Sequence, residues 1–219
     1  MRVWVTRTEP QAEDTAGRLR DLGHEALVAP VLMVRFLPIN IDLSGFVALA
    51  FTSRNAVAAF ARDCPRRDLP AYVTGAGTAA DARAAGFAQV FSAEGDLAAL
   101  ADLIAEARPS GKVLHAAAAE PAGDLAGALE PAGIEVRTLP VYETVETGVA
   151  PPEDVDAVLI HSPRAAKAVA EVIRPQEAAE MDAYVISPAA AAPISYSNFR
   201  RVAVAPYPNE QALLKLFVS

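Results

Sequence analysis

Cysteine is all but missing from this sequence: Cys64 is the only one in 219 residues. No internal disulfide can form, and no His/Cys cluster offers metal-ligand spacing, so a reducing cytoplasm and a metal-free site are expected. Aromatic residues make up only 6%, which disfavours an aromatic-rich sandwich and favours helices packed closely on sheets. Basic residues are in deficit. The formal charge of −8 argues against nucleic-acid binding, which needs a cationic surface to displace counterions, and against a membrane-surface role. No apolar run approaches a membrane span, and the opening MRVWVTRTEP meets charge and proline too early for a signal-peptide core. What is abundant is aliphatic: 53% of residues are hydrophobic, enough to bury the core of one large domain or two small ones.

The chain nearly repeats itself. VWVTRTEPQAEDTAGRLRDLGHEALVAPV (3–31) aligns with VLHAAAAEPAGDLAGALEPAGIEVRTLPV (113–141), pairing Asp14 with Asp124, Leu19 with Leu129 and Gly23 with Gly133. The match continues through ALAFTSRNAVAAFA (48–61) and AVLIHSPRAAKAVA (157–170), which pairs Ser53 with Ser162, and through two later blocks in the same order. Each half reads strand, helix, strand, a connector, then strand–helix three times over. Alternation of this kind implies parallel sheets with helices on both faces, hence an α/β protein of two doubly wound lobes. Two partitions are open: linear halves, or a chain that leaves lobe one after 35, builds lobe two, and returns.

In open parallel sheets, ligands bind beyond the carboxyl ends of the strands, where loops enter helix N-termini. The repeat places Thr6-Arg7-Thr8, Thr52-Ser53-Arg54-Asn55, Thr74 to Thr78, His115, His161-Ser162-Pro163-Arg164 and Ser187-Pro188 there. Hydroxyls and arginines at helix starts suit an anion, although Ser and Thr also serve there as plain N-caps, and Pro163 and Pro188 as helix openers. AYVTGAGTAADARAAGF (71–87) satisfies the dinucleotide fingerprint at Gly75, Gly77 and Ala80, with Glu94 near the place of a ribose-binding acid. Its position is wrong for that use, because it follows the fourth strand of its half and its counterpart ISPAAAA has no glycine. A tight strand-to-helix turn that exposes Thr78 is the expected role. Neither a nucleophile elbow nor a zinc-protease helix is present. His24 and His115 read as surface or rim residues, while His161 beside Ser162 is of more interest. Tyr142, in LPVYET (139–144), has Leu32 as its counterpart, so the repeat does not demand a phenol there. A phenol can give a proton to a departing oxygen without carrying charge, or can simply sit half-buried at an interface.

Taken in order, FTSRNAV (51–57), VTGAGTAADARAAGF (73–87), LAALADLI (97–104), AGDLAGALEPAGIEV (122–136) with VYET (141–144), and IHSPRAAKAV (160–169) resemble the uroporphyrinogen-III synthase family over nearly the full chain. The resemblance implies two flavodoxin-like lobes with an open cleft, crossed twice through a two-stranded linker. Lobe one would hold 1–35 and 148–219, lobe two 38–143, with crossings at 36–37 and 144–147. It implies a cofactor-free monomeric enzyme that cyclises hydroxymethylbilane, a linear tetrapyrrole, with loss of water and inversion of the last ring. On this view Tyr142 assists the leaving hydroxyl, and Thr78, Ser53 and Ser162 are hydroxyls facing the substrate. Thr6, Gly77, Ser187 and the arginines Arg7, Arg54 and Arg164 would help bind its carboxylates. Hydroxymethylbilane synthase (porphobilinogen deaminase), which supplies the substrate, is then a candidate for transient contact. The sequence departs from the family pattern at Ala189 and Ala190, which leave Ser187 as the nearest hydroxyl, and in HAAAAEP (115–121), which lacks the usual glycine and arginine.

Two rivals stand beside this reading. One is a non-enzymatic two-lobed module that closes on a small anion. The other is a nucleotide-dependent enzyme using Gly75 and Gly77, which saturable binding of NAD or ATP would reveal.

Overall fold

The computed structural model describes residues 1–218. In the first half of the chain run β1 (Arg2–Val5), α1 (Gln11–Asp21), β2 (Glu25–Val28), β3 (Leu32–Phe36), β4 (Phe46–Phe51), α2 (Arg54–Asp63), β5 (Ala71–Val73), α3 (Ala76–Ala84), β6 (Val90–Ser92) and α4 (Leu97–Ala107). The second half repeats the pattern with β7 (Lys112–Ala118), α5 (Leu125–Leu129), β8 (Val136–Glu146), β9 (Ala157–Ile160), α6 (Pro163–Val172), an added α7 (Pro175–Glu180), β10 (Asp182–Val185), α8 (Pro188–Ala191), β11 (Arg201–Val204) and α9 (Glu210–Leu214). Short 3-10 turns extend α5, α8 and α9.

The chain folds as two units, Met1–Met33 with Val145 onward, and Val34–Thr144. The first contains a five-stranded sheet in the order β11-β10-β9-β1-β2, with every neighbouring pair parallel. The second contains the order β3-β8-β7-β4-β5-β6, parallel from β8 through β6. Substituting each strand by its counterpart in the repeat turns one order into the other, since β7, β8, β4, β5 and β6 correspond to β1, β2, β9, β10 and β11. Each unit therefore joins the first block of one half to the second block of the other. The boundary between units falls inside two neighbouring strands, between Met33 and Val34 in β3 and between Thr144 and Val145 in β8.

The strands are apolar runs because parallel sheets are covered on both faces. All four residues of β9 are buried, Val158 and Ile160 in one cluster and Ala157 and Leu159 in another. The helices bury single stripes: Ala12, Thr15, Ala16 and Leu19 on α1, and Leu100, Ala101 and Ile104 on α4. Their starts are fixed by side-chain caps, with Asp96 accepting from the Ala98 and Ala99 amides and Asn209 from that of Ala212. In the second unit Phe51, Phe60 and Phe87 pack at ring separations of 5.6 to 6.4 Å.

Arg67 ties the ends of two helices to this cluster. Its guanidinium lies 4.8 Å over the Phe87 ring and donates to the carbonyls of Ala61, Cys64 and Ala85, the closing residues of α2 and α3. A cation at two helix carboxyl ends offsets the negative ends of both dipoles while satisfying orphan carbonyls. Arg67→Leu is expected to cost about 2 kcal/mol of stability by stranding those carbonyls. Urea unfolding midpoints check this, and an unchanged midpoint would remove Arg67 as a tie.

Candidate functional site

Sheet order reverses between β4 and β7 in the second unit, and between β1 and β9 in the first. At such points diverging loops leave room for a ligand beyond the strand ends. Most of the residues singled out from sequence lie at these two places.

In the second unit β4 runs into Ser53, which caps α2 by accepting from the Ala56 amide at 3.1 Å. The same Oγ donates to the Tyr142 hydroxyl at 3.0 Å, across 89 residues of sequence. Tyr142 reaches it from β8, where its carbonyl accepts from Ala119 and its half-buried ring packs on the Phe51 cluster. With the serine proton directed at the phenol oxygen, the phenol's own proton is left to point elsewhere.

Thr78 differs from expectation. It is 7% exposed, the third residue of α3, and belongs to the buried stripe of that helix rather than to an exposed turn. Gly75 caps α3 with φ −146°, an extended conformation open to any residue. The glycines are thus not required by the turn, and their effect is to leave the helix start bare: a Cβ on Gly75 would meet nothing within 4 Å. No side chain caps α3. The loop also lies one strand away from the reversal point, which disfavours the dinucleotide reading. Arg54 grips Asp81 with two nitrogens at 2.6 and 3.2 Å, above Gly77. Its charge is already answered.

His115 is not at a rim. It sits mid-strand in β7, 1% exposed, with ring nitrogens 3.3 Å from the Thr52 hydroxyl and 3.5 Å from that of Thr138. Burial pulls its pKa down to about 4, against a weaker upward pull from Asp124.

In the first unit α1 begins at Gln11, so Thr6 and Arg7 are not helix-start residues. Thr6 is fully buried and donates to the Leu159 carbonyl at 2.7 Å, which ties β1 to β9. This corrects its expected role, since that hydroxyl faces the sheet. Arg7 donates to Thr15 at 3.1 Å and Glu210 at 2.7 Å. Burial pushes Glu210 up, but the Thr15 hydroxyl, Arg7, His161 and Arg18 together hold it below the ordinary glutamate value. The sequence reading missed Glu210 altogether, and the one available signal was its place at a helix start, after the Asn209 cap. Ser162 and Ser187 cap α6 and α8, at 3.1 and 3.3 Å from the Ala165 and Ala190 amides, each followed by a helix-opening proline. Arg164 is exposed at the second position of α6. His161 directly follows β9, and neither of its ring nitrogens has a hydrogen-bond partner among the described residues. Its pKa is lowered to about 4, first by burial and then by Arg7, with Glu210 opposing.

Among the described residues no group of three His, Cys, Asp or Glu could hold a metal ion, and no helix is long and apolar enough to cross a membrane. A family model described as Uroporphyrinogen-III synthase HemD matches residues 13–215. Among solved structures the chain is similar to uroporphyrinogen-III synthetase from Helicobacter pylori 26695, with a TM-score of 0.68 and 21% identity, over 99% of this chain and 97% of that one. It is also similar to a mutant uroporphyrinogen III synthase from the extremely thermophilic bacterium Thermus thermophilus, with a TM-score of 0.54 and 16% identity, over 99% and 96%. At these identities the likeness is one of fold. No curated protein matches the chain.

Proposed function

The chain belongs to the uroporphyrinogen-III synthase family, and on that premise we propose that Tyr142, oriented by Ser53, assists loss of water from hydroxymethylbilane. The family's reaction is the cyclisation of this linear tetrapyrrole to uroporphyrinogen III, a hydro-lyase step in tetrapyrrole biosynthesis. Departure of hydroxide from the terminal carbon leaves an azafulvene; attack by the substituted carbon of the last pyrrole gives a spiro intermediate, whose fragmentation and reclosure invert that ring.

The observation that carries the assignment is the 3.0 Å contact from Ser53 to Tyr142. A departing hydroxide needs a proton or a strong hydrogen bond, and a neutral phenol supplies it without placing a second positive charge beside the developing cation; full transfer leaves a phenolate that offsets that cation. Ser53 is pinned by the Ala56 amide, so it holds the phenol oxygen in place and leaves the phenol proton for the substrate.

For carboxylate binding, the bare start of α3 at Gly75 and Gly77 supplies amide donors that no side chain occupies, with the positive end of the helix dipole behind them. Arg7 and Arg54 are committed to Glu210 and Asp81, so helix-start amides, with the capping hydroxyls of Ser162 and Ser187, are assigned the larger share. That suits a chain of charge −8, whose global field would repel a polycarboxylate unless donors were grouped locally. The free, buried Cys64 accords with a cytoplasmic enzyme, to which the deaminase would pass substrate directly.

Incubation with hydroxymethylbilane, followed by oxidation and separation of the isomers, tests the reading. Isomer III well above the no-enzyme control is expected. Isomer I alone, at the control rate, would favour the non-enzymatic anion-binding module.

A further inference from the structure

His161 is a polar group that the fold itself does not use. It stands where β9 ends beside β1, at the reversal point of the first sheet, one residue before the cap of α6. Both ring nitrogens are buried and unpartnered among the described residues. A buried donor or acceptor left unmet is destabilising, so folding alone disfavours an imidazole here. Its repeat counterpart is Thr52, which shows that the local turn is built equally well around a smaller side chain.

The charged groups that act on the ring, Arg7 and Glu210, are occupied with one another. Arg7 from the β1–α1 loop, Thr15 and Arg18 from α1, and Glu210 from α9 form one network around the Glu210 carboxylate. What remains at His161 is a neutral ring with one acceptor and one donor to offer.

We propose that His161 is a substrate-contacting residue whose neutral ring nitrogen accepts a hydrogen bond from a pyrrole N–H of the linear tetrapyrrole. The proposal rests on the family reading above. Amides and hydroxyls at helix starts meet the carboxylates of such a ligand, but its pyrrole N–H groups need acceptors. An aspartate or glutamate would provide one while repelling the same ligand's carboxylates, whereas a neutral imidazole provides one without that repulsion. Histidine χ2 is broad and roughly two-fold, so turning the ring exchanges its nitrogen-bearing and carbon edges and can bring a nitrogen to a ligand.

With three histidines in the chain, ¹⁵N-histidine labelling gives a spectrum that His161→Thr assigns by difference. Uroporphyrinogen III added to the full chain should move the His161 ring-nitrogen resonances, and citrate, a polycarboxylate without pyrroles, should not. His161→Thr, carrying the residue of its folded counterpart, should raise KM for hydroxymethylbilane about tenfold with kcat within twofold. Resonances that stay fixed at saturating uroporphyrinogen III, or move equally with citrate, overturn the proposal, as does an unchanged KM. In either case wild-type synthesis of isomer III leaves the family reading intact, and failure of the wild type to make isomer III removes both.

Discussion

Tyr142→Phe is expected to lower kcat for isomer III formation by roughly 100-fold, the lower end of what a positioned proton donor contributes. Phenylalanine keeps the ring that packs on the Phe51 cluster and removes only the hydroxyl that Ser53 orients. The folded state should therefore survive, and the loss should appear in kcat and kcat/KM together, because on the proposed assignment the missing bond forms as hydroxide departs. Residual activity is expected, since holding the chain in a closing conformation supplies part of the rate without any acid. Isomer I should also rise as a share of product, because slow turnover leaves more substrate to close spontaneously. Ser53→Ala should cost less, roughly tenfold in rate, while also losing about 1 kcal/mol of stability with the α2 cap. A Tyr142→Phe enzyme that unfolds normally and turns over at the wild-type rate would leave the phenol without a catalytic role.

The second large effect is on stability in acid. His115 and His161 are held near pKa 4 in the folded chain, below the ordinary value of 6.5. The unfolded chain binds these protons first, so the stability that depends on neutral imidazoles is whole above pH 6.5 and drains away as pH falls from 6.5 to the folded value near 4. Over that window each imidazole costs the native state on the order of 3 kcal/mol, and the drain stops below about pH 4, when both states are protonated. Urea midpoints for wild type, His115→Asn and His161→Thr across pH 4 to 7 measure this. Each variant should flatten the slope by nearly one proton, and parallel curves in all three would show that neither imidazole is held neutral by the fold.

Much of this protein is legible in its sequence because the causes are local. Short apolar runs bounded by turn residues are strands, and Val3 to Val5, Ala48 to Phe51 and Ala157 to Ile160 are all buried as such runs should be. Ser53, Ser162 and Ser187 sit at helix starts because serine caps them, and all three do. The repeat displays the element order of both halves, and Tyr142 stands out as a phenol where its counterpart is Leu32.

Other features depend on groups far apart in the chain, which no local pattern encodes. That β7 lies beside β4 and β1 beside β9 was decided by packing, so the residues alone left two partitions open. The turn after β5 looked exposed in sequence, but α3 rotates Thr78 into its buried stripe. Arginines that read as free binders are neutralised by partners 27 and 203 residues away, Asp81 and Glu210. His115 became a buried neutral group because β7 extends past it to Ala118. The amino-acid sequence by itself determined the strands, helices, caps and the hydroxyl-bearing edge, through propensity, periodicity and capping. Only the tertiary structure decided which charges are spent, which polar groups are buried, and that Ser53 meets Tyr142, because each follows from contacts that exist only once distant segments have packed together.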